Sequence, residues 1–198
     1  MTQRMFSSES VTAGHPDKVC DAVSDAIVDA CLALDPNARV AVETCIKGMP
    51  DKSFIILAGE VSLEGETPDY ASIARKAAAD IGYISHDIGM DATDESLCDV
   101  LVYVTTQSTF INQGVDRDNI DSQGAGDQGL MFGYACDETE AYDDLKGRFF
   151  PLAAALSQRL SRRLKSVRED NILPWARPDG KTQVTVAYNE DGSIRGVD

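Results

Sequence analysis

The clearest feature of the hydrophobic pattern is a helix that begins just after His15. Pro16 suits the first helical turn, and Asp17 favours the positive end of the helix dipole. Apolar residues then recur every three to four positions, which is the spacing of one helix face. They are Val19, Val23, Ala26, Ile27, Ala30 and Leu34. The segment 35–37 contains a proline between polar residues and is expected to end the helix.

Two predicted strands follow, and each carries a carboxylate among apolar neighbours. Residues 39–46 alternate between two faces, and residues 53–63 are apolar on both faces. Glu43 lies in the first strand and Glu60 in the second. A buried carboxylate must be paired, hydrogen-bonded or bound to a metal, whereas an edge strand with a wet face needs none of these. The pattern leaves both possibilities open.

Further along the chain, the hydrophobic spacing alternates between the helical and the strand period. The predicted segments are a helix at 70–81, a strand at 97–106, a helix at 151–168, and a strand at 182–188 with a hairpin turn at 189–192. The apolar stripe of the third helix is Leu152, Leu156, Leu160, Leu164 and Val167. This order favours an α+β fold in which helices cover one face of a mixed sheet. The last elements begin a second copy of that layout, and we expect this second repeat to be incomplete.

A long polar stretch separates the two parts of this pattern. Residues 107–129 show no periodicity and are rich in glycine, asparagine and aspartate. A loop of this length inside a compact domain is usually functional or disordered. We therefore expect a first α+β repeat at 1–106, a mobile and glycine-rich loop at 107–129, and an incomplete second α+β repeat at 130–198.

The net negative charge of the chain limits the kinds of molecule that it is expected to bind. The chain has 198 residues, with 18 basic and 33 acidic side chains and a formal charge of -15. Nucleic-acid binders hold phosphate backbones with clusters of Lys and Arg, so we expect no nucleic-acid partner. An anionic ligand would need metal ions that bridge carboxylates to its phosphates. The same charge also serves solubility.

Cysteine usage and hydropathy bear on the compartment. The five cysteines are scattered and form no C-x-x-C pair, which argues against a zinc knuckle or a dithiol redox site. No apolar segment of signal-peptide type occurs at the N-terminus, and no run of 18 apolar residues occurs anywhere. These features predict reduced thiols, a cytoplasmic location and no membrane span.

Two motifs carry candidate chemistry. The segment 124–129 matches G-x-G-x-x-G, but a polar loop precedes it where a dinucleotide site needs a strand, so we reject that interpretation. Its three glycines around Asp127 favour close approach of backbone to a ligand, with a flexible loop as the alternative. His15 and Asp17 flank a helix start, whose free N–H groups attract phosphate. They would contact a phosphate and Mg²⁺, or simply cap the helix.

Several segments together resemble the methionine adenosyltransferases, also called S-adenosylmethionine synthetases. The similarity covers nearly the whole chain, and its most specific block has eleven residues. The segments are 6–11 with 14–18, the loop segment 111–115, the glycine-rich block 124–134, and the series 173–175, 177–179 and 181–184. The resemblance implies the fold of that family, with repeated layers of helix and mixed sheet.

The resemblance also implies a reaction and a site. Methionine sulfur would attack C5′ of ATP and expel triphosphate, which is then hydrolysed to pyrophosphate and phosphate. The implied cofactors are Mg²⁺ and K⁺, and the implied assembly is a homodimer or a dimer of dimers with sites at the subunit interface. The implied roles are His15 and Lys181 in catalysis; His15, Asp127, Asp179 and Lys181 in ATP binding; Glu60 and Gln107 in methionine binding; Asp17 as a Mg²⁺ ligand; and Glu43 at a K⁺ site.

The sequence departs from the family pattern in two places. The turn at 48–53 is longer and more polar than the usual family turn. The family's second signature, G-G-A-F-S-x-K-D, and its third repeat do not occur in the 198 residues. We therefore expect a fragment of a longer enzyme, and keep two alternatives: a truncated, non-catalytic or regulatory homologue that binds nucleotide or a full-length subunit, and an unrelated metal-dependent nucleotide binder.

Overall fold

The computed structural model describes residues 4–106 and 129–197, which form three helices and eight strands. A single 3-10 turn, His86–Ile88, lies between two short strands. The elements in chain order are β1 (Arg4–Val11), α1 (Pro16–Leu34), β2 (Arg39–Lys47), β3 (Ser53–Ser62), α2 (Tyr70–Ile81), β4 (Ile84–Ser85), β5 (Met90–Asp91), β6 (Cys98–Thr106), α3 (Leu152–Glu169), β7 (Lys181–Tyr188) and β8 (Ile194–Val197). Within these residues, no helix is long and apolar enough to cross a bilayer.

The described chain divides into two compact units. One holds residues 4–18 and 132–197, and the other holds residues 19–106 and 129–131. This division by compactness differs from the expected boundaries of the repeats, because the first strand of the chain pairs with β7. The expected division at 106 and 130 stays a prediction about repeats.

The larger unit is built on a three-stranded mixed sheet with the order β2-β3-β6. The strand β3 pairs antiparallel with β2 and parallel with β6. Helices α1 and α2 share one hydrophobic core with the sheet, to which β3 contributes Ile55 and Leu57. The predicted mixed sheet with helices on one face is therefore confirmed.

Both helices of this unit form where the hydrophobic spacing predicts them. Helix α2 is capped at its start by Asp69, which accepts a hydrogen bond from the Ser72 amide, and at its end by Gly82 in a left-handed conformation. In α1, the buried face is Val19, Val23, Ile27 and Cys31. Leu34, which we expected on that face, is 55% exposed because it lies in the last turn. Cys31 takes the core position instead.

The smaller unit has a three-stranded antiparallel sheet with the order β1-β7-β8. The predicted hairpin after β7 is confirmed, with Gly192 in the left-handed conformation that its turn requires. Helix α3 packs on β1 and β7, and its buried positions include Leu152, Ser157 and Ser161. Leu160, expected in the apolar stripe, is 49% exposed. The rest of the predicted stripe is confirmed, since Leu152 and Val167 are buried and Leu156 and Leu164 are half-buried, and small residues share the buried face with them.

Candidate active site

Segments that are distant in the sequence form a cleft of about 620 Å³ in the smaller unit. One wall comes from the end of β1 and the start of α1, and another from the start of β7. Helix α3 supplies the rest. The lining residues are Glu9, Ser10, Val11, His15, Asp17, Lys18, Gln158, Ser161, Arg162 and Lys181. Three of the sequence-predicted site residues, His15, Asp17 and Lys181, therefore line one cleft.

Close backbone packing explains why these segments meet. A β-carbon at Gly14 would lie 2.3 Å from the carbonyl carbon of Pro178, so only glycine fits there. Next to it, the Thr12 amide donates to the Gly180 carbonyl at 2.8 Å, and the Thr12 hydroxyl donates to the Pro178 carbonyl at 2.6 Å. Thr12 is 5% exposed, so these bonds hold the two segments in a water-poor contact. His15 and Lys181 follow directly on the two sides of this contact.

The hydrogen bonding of His15 fixes which ring nitrogen faces a ligand. The backbone N–H of Asp17 donates to Nδ1 of His15 at 3.3 Å. Nδ1 also lies 3.8 Å from the Asp17 carboxylate, which is beyond hydrogen-bond distance. Because Nδ1 accepts the amide proton, the neutral ring carries its own proton on Nε2. The Nε2–H group is thus the donor that His15 can offer to an anion.

Lys181 and Glu9 form an ion pair in the cleft. They are diagonal neighbours across the β1–β7 pair, and Nζ of Lys181 lies 2.6 Å from Oε2 of Glu9. This hydrogen bond and the Glu9 charge raise the pKa of Lys181, and the nearby charge of Asp17 adds to the effect. Lys181 therefore stays an ammonium, with two further N–H donors for a ligand.

Helix α3 contributes three cleft residues that the sequence analysis did not single out. Gln158, Ser161 and Arg162 lie at a spacing of three and four, which places them on one helix face. Ser161 shares a hydrogen bond of 2.9 Å with Ser10 on β1. The sequence does show Gln158 and Arg162 as a polar pair at i, i+4. The prediction for this helix considered only its leucine stripe, which lies on another face.

Glu43 and Glu60 lie in the larger unit, on the face of the sheet that points away from the helices. Glu43 is paired across the ladder with Ala58, so Glu60 is its diagonal neighbour on the same face. Glu43 is exposed on the edge strand β2, and Glu60 is half-buried on β3. Of the two possibilities for Glu43, the structure thus favours an edge strand with a wet face.

The other residues that the sequence analysis assigned to the site do not line the described cleft or lie outside the described residues. Asp179 is exposed and is not among the described residues that line the cleft. Gln107 and Asp127 lie outside the described residues, as does the predicted loop at 107–129 apart from Gly129. In the described ranges, no group of three or more His, Cys, Asp or Glu side chains is placed to hold a metal ion.

Comparison with known proteins identifies the family. Residues 3–109 match the family model of the S-adenosylmethionine synthetase N-terminal domain, and residues 122–198 match that of the central domain. A protein of Corynebacterium kroppenstedtii named S-adenosylmethionine synthase is 48% identical over 100% of this chain and 48% of its own length.

A protein of the same name from Mycobacterium ulcerans is 47% identical over 97% of this chain and 47% of its own length. A third, from a Nocardioides species, is 45% identical over 100% of this chain and 48% of its own length. The chain thus spans about half the length of these relatives. Because both family models match in sequence order and together cover most of its residues, the chain belongs to the S-adenosylmethionine synthetase family.

Proposed function

We propose that this chain supplies the N-terminal and central parts of an enzyme that makes S-adenosylmethionine from ATP and L-methionine. The observation that carries the proposal is the meeting of segments 9–18 and 178–181 in one cleft that offers His15, Asp17 and Lys181. Relatives that bear the name S-adenosylmethionine synthase match the whole chain. The names of these relatives favour an enzyme over the non-catalytic alternative.

The proposed reaction sets a clear electrostatic task. A lone pair of the methionine sulfur forms a bond to C5′ of ATP, and the bond from C5′ to the triphosphate oxygen breaks. The thioether is a neutral nucleophile, so the rate depends on how well the negative charge of the leaving group is stabilised. Water then cleaves the triphosphate to pyrophosphate and phosphate. In this scheme, donors already fixed around the triphosphate lower the barrier without reorganisation.

His15 and Lys181 are suited to this task. The Nε2–H of His15 donates to a triphosphate oxygen, since its Nδ1 already accepts the Asp17 amide. Lys181 donates from the two N–H groups that Glu9 leaves available. Asp179 and Asp127 contact the nucleotide in this proposal, in keeping with their positions in the family motifs. Both cationic and polar donors thus act at the leaving group, where the charge develops.

The donor sets fit the proposed cations in chemical type. Mg²⁺ in phosphate sites is commonly held by one or two carboxylates together with phosphate oxygens and waters. The Asp17 side chain is 86% exposed beside Lys181, so it can serve as that carboxylate. Glu43 would bind K⁺ through oxygen on the sheet face that also carries Glu60. Bound Mg²⁺ would neutralise charge on the triphosphate.

Methionine recognition completes the proposal. The Glu60 carboxylate pairs with the ammonium of methionine, and Gln107 contacts the same substrate. The assembly is a homodimer or a dimer of dimers with sites at the subunit interface, and the location is cytoplasmic. An exposed apolar sheet face supports association, because Tyr103 is 64% and Leu101 is 40% exposed on the same face as Glu43 and Glu60.

Product analysis tests the proposal directly. The protein expressed from its complete reading frame is incubated with ATP, methionine, Mg²⁺ and K⁺, and S-adenosylmethionine is measured by mass spectrometry. We expect product formation, and a loss of about a hundredfold in kcat for Lys181→Met. The matched control is Lys165→Met, whose ammonium pairs with Glu169 on the surface of α3. Nucleotide consumption without S-adenosylmethionine, or full activity of Lys181→Met, would overturn the proposal.

A further inference from the structure

A second concavity lies next to the candidate active site in the same unit. It has a volume of about 480 Å³, and helix α3 forms one of its walls. We call it the arginine cleft, because Arg148, Arg159 and Arg162 line it. Its other lining residues are Asp144, Leu145, Phe150, Ala155 and Gln158. None of the roles given above uses Arg148 or Arg159.

The charge of the arginine cleft is opposite to that of the chain. Arg159 is paired with Asp144, with its guanidinium nitrogen 2.8 Å from the carboxylate. Arg148 and Arg162 form no ion pair with any residue in the ranges 4–106 and 129–197. Among the described residues that line the cleft, three guanidinium groups against one carboxylate leave a local excess of two positive charges, whereas the whole chain carries -15. Such a concentration of cations in a concave site attracts anions.

The donor chemistry favours a phosphate-type anion. A guanidinium group offers N–H donors in a planar fork that matches two oxygens of a phosphate. Leu145 is 5% exposed and forms part of the cleft wall, together with Phe150 and Ala155. An apolar wall lowers the local dielectric constant and strengthens ionic hydrogen bonds made beside it. With three arginines, the cleft suits an anion of more than one phosphate group.

The arginine cleft and the active-site cleft share a ridge. Gln158 and Arg162 lie four residues apart on α3 and line both cavities. Arg159 is three residues before Arg162 and lines only the arginine cleft. The cationic groups therefore continue from Lys181 in one cleft, through Arg162, to Arg159 and Arg148 in the other.

We propose that the arginine cleft is a second binding site, specific for an inorganic polyphosphate such as pyrophosphate. The choice of ligand rests on the proposed function, because that reaction releases pyrophosphate beside the shared ridge. Arg162 would contact the anion from either cleft, and Arg148 and Arg159 would hold it after it has left the active site. Neither bond making nor bond breaking is assigned to this site.

Binding of radiolabelled pyrophosphate by equilibrium dialysis tests the proposal. The protein from the complete reading frame is compared with the double variant Arg148→Gln/Arg159→Gln and with the control Arg163→Gln/Lys165→Gln. The control removes the same charge from neighbouring positions of α3 that do not line the cleft. We expect the affinity of one class of site for pyrophosphate to fall by about tenfold or more in Arg148→Gln/Arg159→Gln and not in the control. Circular dichroism confirms that the variants fold.

A variant with the opposite expected effect sharpens the test. Asp144→Asn removes the carboxylate that pairs with Arg159 in the arginine cleft, so we expect tighter pyrophosphate binding at low salt. Unchanged binding in both cleft variants, or equal weakening in the control, would contradict the proposal. A dependence on Arg148 and Arg159 for a non-hydrolysable ATP analogue, but not for pyrophosphate, would assign the cleft to the nucleotide and also overturn it.

The two proposals fail separately. S-adenosylmethionine formation is measured in the same variants, and we expect initial rates of Arg148→Gln/Arg159→Gln within about twofold of the wild type. Product formation without arginine-dependent pyrophosphate binding would contradict the proposed pyrophosphate site but not the proposed function. Arginine-dependent binding of pyrophosphate without product formation would instead contradict the proposed function and support the anion site.

Discussion

The ammonium nitrogen of Lys181 lies 2.6 Å from a carboxylate oxygen of Glu9. The two residues are on the paired strands β7 and β1, which are far apart in the sequence. The contact holds the Lys181 side chain in the cleft that His15 and Asp17 also line. It also raises the pKa of Lys181. Glu9 is thus a positioning residue for the group that we expect to meet triphosphate.

The first prediction concerns the titration of Lys181. Glu9→Gln removes the charge and weakens the hydrogen bond that raise this pKa, so Lys181 should lose its proton at lower pH, closer to the ordinary value of 10.5. NMR of protein with ¹³C-labelled lysine measures the shift. Glu169→Gln is the control, because that carboxylate faces Lys165 instead. An unchanged Lys181 titration in Glu9→Gln would show that the pair does not form in solution.

The sign of the effect on stability follows from the raised pKa. A group with a higher pKa in the folded state stabilises the fold below its ordinary pKa, and loses that contribution as pH rises through the folded value. The wild type should therefore melt at a higher temperature than Glu9→Gln at pH 8. The difference should shrink as pH rises above 10.5, and calorimetry at several pH values would detect it.

The second prediction tests the contact that joins the two motif segments. In Gly14→Ala, the new β-carbon would lie 2.3 Å from the Pro178 backbone, so one segment must shift. We expect a loss of about 1–3 kcal/mol in the free energy of unfolding, measured with urea. Gly196→Ala is the matched control, since open space surrounds that position. A destabilisation of Gly14→Ala no larger than that of the control would contradict the packing.

The third prediction tests how deeply two leucines of the predicted α3 stripe are buried. Leu152 is fully buried, so Leu152→Ala should cost about 2–5 kcal/mol of unfolding free energy. Leu160 is 49% exposed, and Leu160→Ala should cost well under half as much. Urea unfolding of the two variants gives the comparison. Equal costs would show that Leu160 packs in the core as Leu152 does, which would contradict its half-exposed position.

The buried positions of α3 show what the sequence pattern of one helix cannot predict. Leucines at a spacing of four predict the helix correctly, but they do not reveal that Ser157 and Ser161 take the inner positions. Small residues let α3 approach the sheet closely, and the Thr182 hydroxyl then donates to the Ser157 carbonyl at 2.8 Å. That arrangement depends on the partner strands, which the helix sequence does not contain.

The strand β1 was missed for a related reason. Its residues are mostly polar and exposed, so no alternation marks it, and it forms because β7 provides a ladder partner some 170 positions later. By contrast, α1 and α2 carry their own apolar faces, α2 also has its own caps, and both helices were predicted well. The site was predictable in part: the motifs indicated His15, Asp17 and Lys181, whereas the roles of Glu9 and Arg162 become visible only when the segments meet.

The fourth prediction concerns Tyr188, whose hydroxyl donates to Oε1 of Glu138 at 3.0 Å. The other oxygen of Glu138 accepts from the amide of Leu152 at the start of α3. Burial, together with this hydrogen bond and the Glu138 charge, raises the pKa of Tyr188 to about 12. An ultraviolet titration should show late tyrosine ionisation, to which Tyr70 also contributes because burial raises its pKa, and Tyr188→Phe should remove the part near pH 12.

The raised pKa also predicts a loss of stability in base. Because the folded state holds the Tyr188 proton more tightly, the stabilisation is complete below the ordinary value of 10.0 and is lost as pH approaches 12. Wild type and Tyr188→Phe should therefore converge in stability over this interval. A constant difference between them from pH 9 to pH 12 would show that the hydroxyl is not protected by Glu138.

The central claim is that the cleft between segments 9–18 and 178–181 takes the phosphates of ATP through cations and donors held by this chain. A crystal structure of the protein from its complete reading frame, with Mg²⁺ and a non-hydrolysable ATP analogue, tests it most directly. We predict phosphate oxygens within hydrogen-bond distance of His15 and Lys181, and a metal ion bound to Asp17. A nucleotide bound elsewhere, with neither phosphate nor metal near these three residues, would contradict the account.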